Sequence, residues 1–246
     1  MRVTRVPAAP ALLAALAAAQ LGYPYVPARR QPAATRGIVC LMLATTVADL
    51  VARRGRGRAA VLAGSAAAIA FAAELCGVAT GRPFGRYRYT GGLGPRVAGV
   101  PVLAAGAWTM MASPAWSVAG LLTARPARRA TLAAGALTAW DAFLDPRMVR
   151  DGYWVWPAGG GYEGVPVSNF AGWLLVGGAI FAVWAVLDGD APPSSDALAL
   201  YAWTWIGETL ANVAVWRRPR IAAVGGLAMG AFAGPALLRR ARRHAT

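Results

Sequence analysis

The stretch from Ser168 to Leu187 reads SNFAGWLLVGGAIFAVWAVL and contains no charged side chain. Its twenty residues match the length that a helix needs to cross the hydrocarbon core of a bilayer. The rest of the chain has the same character, since 57% of its 246 residues are hydrophobic and only 14% are charged. Soluble domains contain about 25% charged residues. The sequence therefore predicts an integral-membrane protein.

Further apolar runs lie on both sides of this stretch. Together they predict an all-α, polytopic transmembrane bundle of seven to eight helices, in a single domain covering residues 1–246. The first run follows Arg2 and Arg5 and could be a secretory signal, but the later runs favour an uncleaved helix. The second and fifth runs are short, which leaves the count at seven or eight. The runs are Ala8–Val26, Gly37–Ala52, Ala59–Ala79, Val97–Leu122, Arg129–Leu144, Ser168–Leu187, Ala197–Trp216 and Ile221–Leu238.

The basic residues point to a lipid surface. All 25 are arginine, and the formal net charge is +15. They form short clusters between apolar runs, which is typical of loops that face anionic headgroups, so no nucleic-acid partner is expected. The arginines divide almost evenly between the two sides of the predicted bundle, so the positive-inside rule does not orient it.

Missing residue types exclude several kinds of catalysis. The chain has no lysine, and its single histidine is His244. A Schiff-base site, a P-loop, a Ser-His-Asp triad and a His-ligated zinc or haem site are therefore excluded. Catalysis must use carboxyl groups, arginine, tyrosine or hydroxyl groups, and we expect no metal, nucleotide or flavin to be needed.

Two segments, residues 80–96 and 145–167, are unlike ordinary loops, and we call them the aromatic loops. Two predicted spans separate them, so they must lie on the same membrane face. In the first, Arg86 and Arg88 alternate with Tyr87 and Tyr89. An extended chain places these guanidinium groups on one side and the rings on the other. A passive interfacial belt of aromatic residues is the alternative, but the many glycines and prolines favour specific turns.

Five acidic residues lie within or beside apolar runs, where burial costs about 2.5–3.5 kcal/mol each, so they are candidates for function. Asp49 is the weakest candidate, because an ion pair with Arg53 would explain it. Asp145 precedes Pro146 and could be a helix N-cap. The acids Asp188, Asp190 and Asp196 fall in a polar loop and need no functional account. The five candidates are Asp49, Glu74, Asp141, Asp145 and Glu208.

Glu74, Asp141 and Glu208 should converge below the aromatic loops, since each lies toward the same end of its span. Asp141 and Asp145 are one helical turn apart and can share a proton. Tyr201, Trp205, Glu208 and Asn212 recur on one helical face, which predicts a polar-aromatic stripe turned into the bundle. The alternative is that an arginine neutralises these acids, with Arg82, Arg86 and Arg147 as the candidates.

Three ordered blocks of sequence resemble the integral-membrane carotenoid biosynthesis proteins of the CruF type. They are Gly77–Met111 (GVATGRPFGRYRYTGGLGPRVAGVPVLAAGAWTMM), Trp140–Trp156 (WDAFLDPRMVRDGYWVW) and Gly164–Leu175 (GVPVSNFAGWLL). The resemblance implies a carotenoid 1,2-hydratase or bisanhydrobacterioruberin hydratase, which adds water to the terminal double bond of an acyclic ψ end group. It implies an acyclic C40 or C50 carotenoid as substrate. It carries over no catalytic residue.

Hydration of such an alkene requires a proton donor, stabilisation of a tertiary cation and a positioned water. We predict Asp141 as the donor, tuned by Asp145 or Glu74, with Glu208 contributing polarity. Aromatic faces can stabilise the cation. The residues expected to contact substrate are Phe84, Arg86, Tyr87, Tyr89, Trp108, Tyr153, Trp154, Trp156, Asn169, Trp205 and Asn212.

Three other functions remain open. An end-group cyclase would also begin by protonation but would capture the cation with an alkene. A transporter could use the acids and arginines as an ion path, although no inverted repeat is visible. A non-catalytic scaffold for other carotenoid-pathway enzymes is the third. The arginine-only, alanine-rich composition suggests a bacterium with a GC-rich genome, and the predicted location is its cell membrane.

Overall fold

The computed structural model describes residues 8–245, so Arg2 and Arg5 lie outside the described residues. Within this range the protein is all-α, as predicted, with seven helices and four strands of two residues each. The helices are α1 (Ala8–Gly22), α2 (Gln31–Thr80), α3 (Val102–Leu122), α4 (Pro126–Arg150), α5 (Val167–Asp188), α6 (Ser195–Ala214) and α7 (Pro219–Ala245). The strands are β1 (Arg88–Tyr89), β2 (Arg96–Val97), β3 (Val100–Pro101) and β4 (Trp154–Val155).

Helix α2 contains two of the predicted spans, because the chain reverses at Gly55. This glycine has φ 74° and ψ 163°, a conformation that only glycine adopts readily. Side chains before and after it confirm the reversal. Thr35, in the first half of α2, accepts a hydrogen bond from Tyr153, and Glu74, in the second half, accepts one from Tyr89. Both ends of α2 therefore reach the aromatic loops. Since α2 consists of two helical segments, the seven helices of the described chain comprise eight helical segments.

Three helical segments in the described part of the chain are long and apolar enough to cross a membrane by length and composition: Ala28–Thr80, Val167–Asp188 and Pro219–Arg243. These are consistent with a membrane protein. Most side chains of the central helices α3 and α4 are buried against the other helices. The buried polar groups of these two helices, Asp141 and Asp145 among them, therefore lie inside the bundle.

The far end of the bundle, away from the aromatic loops, is held by a buried ionic cluster that the sequence did not predict. Asp188 is only 3% exposed, and Arg54 Nε donates to it at 2.7 Å. Trp116 Nε1 also donates to Asp188 at 3.2 Å. Arg129 stacks over Trp116, with its guanidinium carbon 4.1 Å from the ring centroid. The expectation that Asp188 belongs to a solvated loop is therefore wrong.

The aromatic loops form a roof at the opposite end. β1 of the first loop pairs antiparallel with β4 of the second, with Tyr89 opposite Trp154. β2 and β3 form a hairpin whose two turn residues, Ala98 and Gly99, both have positive φ. This conformation is that of the tight turns typical of two-residue hairpins. The two loops thus lie on one face, as their spacing predicts.

Candidate active site

The alternation in the first aromatic loop turns its tyrosines inward. Arg86 and Arg88 are exposed, whereas Tyr87 and Tyr89 are partly buried and point at helix α2. A glycine makes this approach possible. A Cβ atom at Gly77 would lie 2.9 Å from both Phe84 Cδ2 and the Tyr87 hydroxyl. The missing side chain at Gly77 therefore lets the loop close onto the helix.

Glu74 is held by three hydrogen-bond donors from two elements. The hydroxyl groups of Tyr87 and Tyr89 both donate to Oε2, the latter at 2.8 Å. Trp108 Nε1 on helix α3 donates to Oε1 at 3.0 Å. Burial, and then the neighbouring Glu74 carboxylate, raise the pKa of Tyr87 and Tyr89 well above the usual value for tyrosine. Both phenols therefore remain protonated donors, and Glu74 acts as an acceptor.

Asp141 and Asp145 share one partner. The side-chain amide of Asn169, on helix α5, donates to Asp141 Oδ2 at 2.8 Å and also to Asp145 Oδ2. Asp141 is fully buried, and its Oδ1 has no hydrogen-bond partner among the described residues. Asp145 lies inside α4 and so is not an N-cap, because the helix runs through Pro146 to Arg150. The two carboxyl groups and the amide form a compact cluster.

A small cavity of about 60 Å³ lies between this cluster and Glu74. A space of this size can hold ordered water. The buried indole N–H of Trp154 lies beside the Asp145 carboxyl group, and both residues lie on the cavity wall. Nine of the predicted site residues line the cavity: Glu74, Phe84, Tyr87, Tyr89, Trp108, Asp145, Trp154, Trp156 and Asn169.

None of the arginines that the structure describes lies on the wall of the small cavity. The described residues contain no ion pair that involves Glu74, Asp141 or Asp145. The alternative that arginines neutralise these three acids is therefore not what the structure shows. Asp49 also differs from expectation, because Ser194 Oγ donates to it at 2.6 Å while Arg53 binds backbone carbonyls.

Glu208 lies apart from the other acids. Arg147 Nη1 donates to its Oε1 at 3.0 Å, and the guanidinium of Arg147 also lies over the rings of Tyr23 and Trp216. This pair lines a second, large cavity of about 870 Å³. For Glu208 the ion pair weighed from the sequence is present. The expected convergence thus holds for Glu74 and Asp141 but does not include Glu208.

The remaining predicted site residues do not line the small cavity. Asp141 lies behind Asp145, and Arg86 is exposed. The hydroxyl of Tyr153 donates to Thr35 at 2.9 Å, one layer away from the cavity. Trp205 Nε1 donates to the carbonyl of Gly226 at 2.7 Å, and Asn212 donates to the carbonyl of Glu208 at 2.9 Å. Trp205 and Asn212 of the predicted stripe on α6 therefore donate their side-chain hydrogen bonds to backbone carbonyl groups.

Trp173 is a site residue that the sequence analysis missed. Its ring stacks on Trp108 at a centroid distance of 3.8 Å and lines the small cavity. It follows Asn169 by one helical turn, so the i, i+4 spacing from a predicted residue could have identified it. Within the described residues, no three His, Cys, Asp or Glu side chains group in a way that could hold a metal ion.

These features define a class of protein: a membrane-helix bundle whose aromatic cavity, near one end, holds carboxyl groups that form no ion pair with any described arginine. The chain belongs to the carotenoid biosynthesis protein family, whose profile matches residues 36–237. Over 113 residues it is 37% identical to bisanhydrobacterioruberin hydratase from Haloarcula japonica. That alignment covers 42% of this chain and 37% of the relative's length. No solved structure matches this chain. The resemblance drawn from the three sequence blocks is confirmed at the level of the family.

Proposed function

We propose that this protein adds water across the terminal 1,2 double bond of an acyclic carotenoid end group. One observation carries the proposal: the small cavity combines carboxyl groups that no arginine neutralises with a wall of aromatic rings. Such a cavity favours a transient carbocation. The relationship to a hydratase supports the same chemistry.

The Asp141–Asp145 pair is the proposed proton source. Two carboxylates on one amide in an apolar interior repel each other, so a single shared proton stabilises the pair. Asp145 lies on the cavity wall and Asp141 lies behind it. Asp145 therefore presents the proton to C2 of the alkene, and Asp141 supplies it. This proposal changes the expectation that Asp141 is the donor, tuned by Asp145 or Glu74.

Protonation at C2 leaves a tertiary cation at C1. The rings of Trp108 and Trp156 line the cavity, and a desolvated cation over an aromatic face gains about 2 kcal/mol or more. The Glu74 carboxylate is fixed by its three donors before the reaction begins, so it stabilises the cation without reorganisation. Glu74 and the aromatic wall together make the cavity complementary to the transition state.

Water then attacks C1. The Trp154 N–H, which lies beside the Asp145 carboxyl group, can help to orient a water molecule, and the cavity volume is sufficient for it. The new C–O bond forms as one proton of the water passes to Glu74, and a proton returns from there to the aspartate pair. The cycle consumes one water and one alkene and needs no oxidant or reductant. The proposed setting is the cell membrane, where the carotenoid dissolves.

The deciding experiment uses purified protein in detergent with lycopene as the probe. Hydration increases the product mass by one water molecule, and heavy-oxygen water places its label in the new hydroxyl group. In deuterated water, C2 should acquire one deuterium. A product isomeric with lycopene would instead indicate a cyclase. Recovery of unchanged lycopene with well-folded protein would contradict the proposal.

A further inference from the structure

The large cavity is lined mainly by apolar side chains of α1, α2, α4 and α6. Its volume of about 870 Å³ is near the upper end of the range found for small-molecule sites. On α6 the lining runs from Trp203 to Ala214, a length of about 17 Å at 1.5 Å per residue. The cavity is thus long as well as large, which suits an extended chain.

The large cavity has an exposed apolar rim between α1 and α6, which marks its opening. Leu21 on α1 is 66% exposed, and Leu210 on α6 is 60% exposed, yet both line the cavity. A hydrogen bond of 2.6 Å from Trp203 Nε1 to Gln20 joins the two helices at the inner limit of this opening. An apolar ligand dissolved in the bilayer can therefore enter between α1 and α6 without crossing water.

The large and small cavities share a wall. Thr35, Val39, Met110, Leu144 and Met148 line both of them. Two of the five are methionines, whose flexible side chains can move aside for a ligand. A chain lying in the large cavity can therefore reach the carboxyl groups of the small cavity through this wall.

We propose that the large cavity binds the polyene chain of an acyclic carotenoid, which enters between α1 and α6 and delivers its end group to the small cavity. This rests on the proposed function. The family supports an isoprenoid polyene as the occupant, and the opening to lipid fits its solubility. The binding groove is then formed largely by α6 residues such as Ile206, Gly207 and Ala211.

Gly207 allows a direct test. A Cβ atom added there would meet no atom within 4 Å, so a larger side chain would extend into the cavity. Gly178 on α5 is a matched control, because it is also helical, has equal space around a new Cβ and lines neither cavity. Gly207→Leu and Gly178→Leu would be purified in detergent and compared by size-exclusion chromatography. Lycopene binding would be measured by quenching of tryptophan emission, and hydration in a separate assay.

Gly207→Leu should weaken lycopene binding by about tenfold or more, while Gly178→Leu should match the wild type. Equal lycopene binding by the two variants would contradict the proposal that the large cavity binds the polyene. A wild-type protein that binds no lycopene would also contradict it. If the wild-type protein binds lycopene but does not hydrate it, the proposed hydratase activity is wrong, whereas the proposed polyene binding is supported when Gly207→Leu weakens it. If Gly207→Leu does not fold, Gly207→Val against Gly178→Val applies the same comparison with a smaller side chain.

Discussion

At the residue scale, four acids in the interior have three different surroundings. Glu74 receives three hydrogen bonds, Asp141 and Asp145 share one amide, and Glu208 is paired with Arg147. Hydrogen bonding and charge determine what each carboxyl group can do. Glu74 is an acceptor, the aspartate pair can hold a transferable proton, and Glu208 is neutralised. Distinct effects of their amide variants follow from this difference.

Asp141→Asn and Asp145→Asn should each reduce hydration by about 10²–10⁴-fold, because an amide cannot supply the proton. Both variants should still insert and bind lycopene. Glu208→Gln should reduce hydration less, since Glu208 lines only the large cavity. Product formation per folded protein is the measurement, with the exposed Asp190→Asn as control. Near-normal hydration by Asp141→Asn and Asp145→Asn would place the donor elsewhere.

Tyr87→Phe and Tyr89→Phe should each lower the free energy of unfolding by about 1.5–3 kcal/mol, because each removes a hydrogen bond to a buried carboxylate. Their raised pKa values make this contribution fully present below pH ~10, the usual tyrosine pKa. It should disappear as the pH rises through the higher pKa of the folded protein. Thermal unfolding in detergent across pH measures it. Tyr25→Phe, at an 87% exposed position, should have no effect.

At the element scale, the reversal of α2 assembles the site. The helix leaves the loop face near Thr35, turns at Gly55 and returns to that face at Glu74. Without the turn, fifty residues would continue for about 75 Å, far beyond the thickness of a bilayer. The turn therefore determines where Glu74 lies relative to the aspartate pair.

Gly55→Ala should destabilise the protein by about 1–3 kcal/mol, because alanine is strained at φ 74° and ψ 163°. Gly57→Ala is the matched control two residues away. Gly57 is helical with open space around a new Cβ, so alanine there should be neutral or stabilise by up to about 1 kcal/mol. The melting temperatures of the two variants in detergent provide the comparison. Equal melting temperatures would show that Gly55 is not a required turn.

At the scale of the whole molecule, the two ends of the bundle have different tasks. The loop end holds Glu74 and the Asp141–Asp145 pair, which form no ion pair with a described arginine, whereas the far end holds the Asp188 cluster with Arg54 and Arg129. Arg129 donates to the backbone carbonyls of Gly189 and Ala191, so it ties α4 to the segment after α5. The far end therefore stabilises the bundle, and the proposed site lies at the other end.

Asp188→Ala should lower the free energy of unfolding by about 3–5 kcal/mol, since it leaves buried guanidinium groups without their anion. The fraction that folds should form the same product as the wild type, because the cluster is remote from the small cavity. Asp190→Ala, at an exposed neighbouring position, should leave stability unchanged. A change of product in Asp188→Ala without loss of stability would contradict this division of tasks.

The sequence by itself determined the helical class, the shared face of the aromatic loops and the placing of Tyr87 and Tyr89 on the side opposite to Arg86 and Arg88. These features depend on local periodicity and on the number of spans, both of which can be read along the chain. The sequence also singled out Glu74, Asp145 and Asn169, which line the small cavity, because polar groups in apolar runs are conspicuous.

Only the tertiary structure decided which acid has which partner. The pairing of Arg147 with Glu208, the burial of Asp188 and the stacking of Trp173 on Trp108 each join residues on different helices. Their contacts depend on the rotation and packing of whole helices, which a sequence pattern does not specify. For the same reason the large cavity could not be foreseen, since it is a gap between four helices and no single segment encodes it.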